Sequence, residues 1–190
     1  RGFESYWAVP FGAKNAISGR WVKGPGMALI GELKRKFPEV QFIAEDLGYP
    51  SPEVIKLLED SEFPGMKVLE FAFDSRDSSN YLPHAYINNC ICYAGTHDNS
   101  TLLGWLETAD FNDVRKAEEY LGLNEKEGYV WGIIRGGMSS VAKLFVAQIQ
   151  DYLELSDEAR INTPGTPEGN WVWRMKKGAL TDELAERIAK

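Results

Sequence analysis

Apolar residues along this chain fall into two kinds of run, and the two alternate. Met27, Ile30, Leu33 and Phe37 stand three or four apart ahead of Pro38, which predicts a helix over 26–36. Ser51-Pro52, a cap followed by proline at the first helical position, opens a second helix to about residue 60 with Val54, Leu57 and Leu58 inward. Short continuous apolar stretches predict strands: "VQFIAE" (40–45), "MKVLEFAF" (66–73), "NCICYAG" (89–95) and "ARIN" (159–162). Further helices are predicted over 100–107, 112–121, 127–135, 139–154 and 181–189. In the segment 139–154, Val141, Leu144, Phe145, Ile149, Tyr152 and Leu153 share one face. Residues 1–24, rich in aromatics, read as a long loop, and "TPGTPEGN" reads as a rigid one.

Strands that are apolar on both faces and separated by helices predict an α/β fold with a parallel sheet. Two of these strands end in carboxylates, as strands do where a (β/α)8 barrel collects its reactive groups. Such a barrel needs eight strands and roughly 250 residues. The four strands predicted here amount to about half of one.

Composition narrows the functions available. The chain has 190 residues, 44% hydrophobic and 26% charged, which suffices for a substantial core. A net charge of −7 and a pI near 5.0 leave no basic stripe for a polyanion, so no nucleic-acid partner is expected. No apolar run approaches membrane-spanning length, so no membrane partner is expected either. Cys90 and Cys92, two apart on a strand, face the same way and read as packed thiols, which fits a reducing cytoplasm. With two histidines they are too few and too poorly spaced for a structural metal site. The chain opens at Arg1 directly into "RGFESYWAVPFG", which reads as the interior of a longer protein.

Candidate chemistry sits in "IAEDLGY" (43–49) and "CYAGTHDNST" (92–101). Cleaving a glycosidic bond needs an acid to protonate the leaving oxygen and carboxylates to stabilise an oxocarbenium-like centre. Glu45 would need a raised pKa, which the apolar Phe42-Ile43-Ala44 surround and Asp46 beside it would supply. The plainer alternative has Glu45 and Asp46 capping a loop and Asp98 capping the helix at Thr101, and on single motifs that alternative is favoured. His97 suits a sugar hydroxyl, whereas His84 in "YLPHAY" reads as structural. Tyr6, Trp7, Phe71, Phe73, Trp105, Trp171 and Trp173 suit stacking on sugars, although most aromatics serve cores.

Taken together, "RGFESYWAVPFG", "GRWVKGPG", "IAEDLG", "YLPHAY", "YAGTHDN" and "ARINTPGTPEGNWVWR" occur in the order and rough spacing of the amylomaltases, the 4-α-glucanotransferases related to α-amylases. The resemblance covers essentially the whole chain. It implies that 1–190 is the C-terminal half of a catalytic (β/α)8 barrel, a partial TIM barrel that transfers α-1,4-glucan segments with retention. By the same resemblance Glu45 is the acid/base, Asp98 the aspartate that holds sugar hydroxyls at the transition state, and His97 a contact to that sugar. Asp46, Phe71 and Asn162 match positions lining neighbouring subsites. No cofactor or metal is implied. The family's nucleophile lies in a motif like Arg-Ile-Asp-His-Phe-Arg-Gly-Phe, of which this chain begins at the second arginine, so the aspartate would precede Arg1. Ser100 departs from relatives that carry an acid after "HDN".

These readings lead to an inactive piece whose partners are α-1,4-glucans and the N-terminal half of the same barrel. Its uncovered edges would favour self-association. An α-glucan hydrolase and a non-catalytic carbohydrate-binding piece remain the alternatives.

Overall fold

The aromatic-rich opening forms a hairpin rather than the loop expected of it. In the computed structural model, which describes residues 1–48, 51–74 and 81–190, β1 (Ser5–Ala8) pairs antiparallel with β2 (Arg20–Lys23). Trp7 faces Trp21 across the pair, their rings edge to face at 5.4 Å. "SYWA" and "RWVK" are rich in the aromatic and β-branched residues that cross-strand packing favours, and this pairing outweighs the Gly and Pro punctuation between them.

The hairpin belongs to the first of two units, Arg1–Met66. Here α1 (Gly26–Lys36) and α2 (Pro52–Ser61) form as the periodicity predicts. Ser51 caps α2 by accepting a hydrogen bond from Val54 N. The segment 40–45 is not a strand: Ala44 N donates to Pro64 O, but no ladder forms over these residues. A strand exists through its neighbours, and the apolar run alone supplies none. Tyr49, at the end of "IAEDLGY", lies outside the described residues, as does 75–80 of the polar loop expected after residue 73.

In the second unit, Lys67–Lys190, a three-stranded sheet runs in the order β3-β4-β5. β3 (Gly65–Val68) crosses the division between the units and is shorter than predicted, because 69–73 winds into a 3-10 helix. β4 (Cys90–Tyr93) pairs parallel with β5 (Leu144–Val146), Cys92 opposite Phe145. β5 corrects the helix expected over 139–154, of which only the short α6 (Ile149–Tyr152) is helical. "LFVA" satisfies strand and helix spacing alike, and the parallel ladder to β4 decides between them. The strand expected over 159–162 is likewise absent. A 3-10 turn over Asp157–Ala159 takes its start, and the chain then runs on without a ladder.

Helices α3 (Leu102–Thr108), α4 (Phe111–Leu121), α5 (Tyr129–Met138) and α7 (Asp182–Ala189) fall where predicted, within a residue or a few. Leu69, Phe73, Leu102, Ala117, Ile133 and Ile134 meet in the core of this unit. Cys90 and Cys92 are buried with Tyr86 on one side of β4, packed thiols as expected. Among the described residues, no helix is long and apolar enough to cross a membrane.

Candidate active site

The segment 42–46 is extended, and its side chains alternate. Phe42, Ala44 and Asp46 are partly buried while Ile43 and Glu45 are exposed. Phe42 stacks on Phe63 at 5.1 Å, which anchors the inward side. Asp46 Oδ1 accepts a hydrogen bond of 2.7 Å from Met66 N, tying the segment to the start of β3. This approach requires glycine at position 65, where a Cβ would lie 2.8 Å from Asp46 Oδ2. Glu45 therefore points away from Asp46. Its Oε1 accepts from Leu47 N at 2.6 Å, a local turn contact, so the capping reading describes its present partner. Both acids stand at a cavity of about 510 Å3 lined largely by apolar residues, among them Ile30, Leu33, Val54 and Leu58.

In the second unit the loop after β4 carries His97 and Asp98. Asp98 does not cap α3. Thr101 does so instead, its hydroxyl accepting from Gly104 N, while Asp157 and Asp151 take the N–H groups of Thr101 and Leu102. With these orphan donors satisfied elsewhere, the Asp98 carboxylate remains available at the surface. Asn162 Nδ2 donates to its Oδ1 at 2.6 Å, and His97 Nε2 lies 3.4 Å from the same oxygen. His97 also packs on Trp171, with ring centroids 5.1 Å apart. Trp171 sits in the left-handed region (φ 63°) and donates its N–H to Ile161 O at 2.7 Å. Trp171 and Trp173 line a cavity of about 410 Å3 with Gln148, Gln150 and Arg174.

Arg160 joins the two loops. Its Nη2 donates to Asp98 O at 2.6 Å, Nη1 to Ser100 Oγ at 3.3 Å and Nε to Asn162 O at 2.9 Å. The planar guanidinium suits this three-way task, and no residue-type count singled it out in advance. Phe71, expected among the subsite residues, is the outward residue of the 3-10 helix and meets Tyr81 edge to face at 5.7 Å. His84 takes the structural role expected of it, its Nδ1 2.9 Å from Tyr120 Oη.

Beneath the His97–Asp98 loop lies Glu70, which the sequence did not single out. It is 8% exposed, and burial together with Asp151 and Asp157 pushes its carboxyl up to about 9, against the opposing pull of Arg160 and Asn99. Burial likewise raises Asp151 to about 6, opposed by the N–H groups of Leu102 and Gln148. The structure thus brings Asp98, His97 and Asn162 together in one unit and holds Glu45 and Asp46 in the other. Among the described residues, no group of three or more His, Cys, Asp or Glu side chains is placed to hold a metal ion.

The chain is similar to known proteins along nearly all of its length. The 4-alpha-glucanotransferase family model matches residues 1–181. The 4-alpha-glucanotransferase of Clostridium butyricum is 49% identical over 99% of this chain, and that of Thermus thermophilus is 44% identical over 99%. The chain spans 39% of each of these two relatives. Among solved structures, the amylomaltase from Streptococcus agalactiae in complex with acarbose matches with a TM-score of 0.90 at 36% identity, over 97% of this chain and 38% of that one. With its family model matched over nearly the whole length and its α/β fold similar to an amylomaltase, the chain belongs to the 4-alpha-glucanotransferase family.

Proposed function

We propose that this chain is the C-terminal half of a (β/α)8 glucanotransferase barrel whose complete protein moves α-1,4-glucan segments between chains with retention. The observation that carries the reading is the Asp98 carboxylate, held by Asn162 beside His97 and Trp171 within the family's motif. Asp98 receives the hydroxyls of the distorted sugar at the transition state, His97 and Asn162 orient it, and Trp171 offers a ring face to the sugar. Glu45 protonates the departing glucan oxygen, then deprotonates the 4-hydroxyl of the acceptor. Its exposure and its single local partner support a group that turns to meet substrate. Asp46 and Phe71 serve neighbouring subsites.

The covalent step needs a nucleophilic carboxylate, which this reading assigns to the part of the protein outside this chain. Without it the 190-residue chain is inactive. The apolar cavity of the first unit, and exposed apolar residues such as Phe11 and Ile17, support a surface that further chain covers, or that self-associates when left bare. The buried thiols Cys90 and Cys92 support a reducing compartment such as the cytoplasm. The test incubates the complete polypeptide, and separately this chain, with maltotriose and resolves the products by chromatography. Longer and shorter oligosaccharides are expected from the first and none from the second. Chain shortening alone would establish a hydrolase, and transfer by this chain alone would refute the division of roles.

A further inference from the structure

The turn that carries His97 and Asp98 is closed on itself. Asn99 N donates to Thr96 O at 3.1 Å, and Asn99 Oδ1 accepts from Thr96 N at 2.9 Å and from Thr96 Oγ1 at 2.7 Å. Asp98 N donates to Thr96 Oγ1 at 3.2 Å. A turn bonded in this way moves as one body, so its attachments to the rest of the unit decide where Asp98 stands. Two of those attachments are side chains of one short segment, the junction between β5 and α6. At the start of the turn, Gln148 Nε2 donates to Thr96 O at 3.2 Å. Beyond its end, Asp151 Oδ1 accepts from the N–H of Leu102, the first residue of α3, at 2.8 Å. The other oxygen, Asp151 Oδ2, accepts from Gln148 N at 3.2 Å and so fixes the residue that reaches Thr96. Asp151 is 1% exposed and Leu102 0%, so a lost bond here would leave a buried group unpaired.

We propose that Asp151, acting through Gln148 and α3, is a positioning residue for glucan transfer that holds the Asp98 turn at both ends. The inference rests on the reading of Asp98 as a carboxylate that engages the sugar. The role asks for an acceptor at each Asp151 oxygen, because both partners are backbone N–H groups. Asparagine fails that requirement, since its NH2 would oppose the second N–H. Arg160 and Asn162 hold Asp98 itself from the neighbouring loop, whereas Asp151 and Gln148 hold the backbone on which Asp98 is mounted. Releasing that backbone shifts the carboxylate without removing any group that touches sugar. The cost therefore falls on transition-state alignment and not on glucan binding.

The experiment measures kcat and KM on maltotriose for the complete glucanotransferase polypeptide, with thermal unfolding alongside. Its variants are Asp151→Asn, Gln148→Ala, Asp98→Asn, and Gln148→Ala combined with Asp98→Asn. Asp151→Asn and Gln148→Ala are each expected to lower kcat about tenfold or more, with KM changed less than about twofold. In the Asp98→Asn background, Gln148→Ala should cost less than about twofold in kcat, because no carboxylate remains to be positioned. A role in the fold alone would cost the same in both backgrounds, so equal losses overturn the proposal. Full kcat in Gln148→Ala beside an inactive Asp98→Asn overturns the inference alone, even if the Asp151→Asn protein does not fold. Full activity in Asp98→Asn overturns the site reading and this inference with it.

Discussion

Replacing Arg160 by lysine tests whether the two loops of the second unit work as one device. The charge is kept, so long-range electrostatics stay nearly constant, while the three-pronged fork becomes a single ammonium. Arg160 now bonds Asp98 O, Asn162 O and Ser100 Oγ, with Asp157 3.9 Å away. A lysine at this reach replaces one of those bonds. Losing two bonds from a charged donor at ~1.5–3 kcal/mol each, discounted for partial exposure, leaves ~2–4 kcal/mol of lost anchoring. Spread over two loops, that is enough to let Asp98 and Asn162 drift apart by a fraction of an ångström. Such misplacement costs roughly ten- to a hundredfold in kcat. The assay is maltotriose disproportionation by the complete polypeptide, with thermal unfolding alongside. The expected result is a lowered kcat in a protein whose melting temperature drops by several degrees. A lysine variant equal to the parent in both would show that Arg160 merely decorates the loops, and that Asn162 holds Asp98 unaided.

Two further outcomes are expected. Glu45→Gln in the complete polypeptide should abolish transfer from natural glucans yet spare much of the first step on a glucosyl fluoride, whose leaving group needs no proton; equal losses on both substrates would assign Glu45 to structure. The second concerns pH and stability. Glu70 and Asp151 are raised from 4.5 to about 9 and from 3.8 to about 6, so the folded state holds protons that the unfolded state has released. Their contribution is fully present below the unfolded values and declines as pH rises. The loss runs at about 1 kcal/mol per pH unit for each group, for Asp151 until about pH 6 and for Glu70 until about pH 9. Chemical denaturation of this chain should therefore show stability falling from pH 5 to 8, with the slope above pH 6 absent in Glu70→Gln; a flat or rising profile in the parent would contradict it.

Much of the helical framework was legible because its signals are local. Ser51 caps α2 from one residue away, and Thr101 and Thr181 cap α3 and α7 in the same manner. Strands were legible only where sequence and ladder agreed, as at Cys90–Tyr93. The stretch 40–45 has strand composition and finds no ladder, whereas Leu144–Val146 has ambiguous composition and finds one with β4. Pairing is decided between segments far apart in sequence, and no window along one segment contains it. The cluster at Asp98 was visible because His97, Asp98 and Asn162 sit in multi-residue motifs. Arg160 lay in the same motif, but its three acceptors are backbone and hydroxyl oxygens that no residue pattern reveals.

Glu70 shows why a buried acid stays hidden in a sequence. Had "LEFAF" continued as the strand its composition suggests, Glu70 would share a face with Ala72, opposite Leu69 and Phe73. The 3-10 winding over Leu69–Phe73 changes the period from two to three and puts Glu70 on the side of Phe73, both buried, leaving Phe71 outward. One change of winding thus turns Phe71 to the surface and drives Glu70 beneath the loop that carries Asp98. The two carboxyls then diverge by environment. Asp98 is half-exposed and takes Asn162 as donor, whereas Glu70 is enclosed among acids and kept protonated. A carboxylate that takes polar donors at the surface needs the first setting, and a carboxyl enclosed among like charges keeps its proton in the second. The short 3-10 turn, a departure from the regular strand, is therefore what gives two carboxyls so near in the fold such different surroundings.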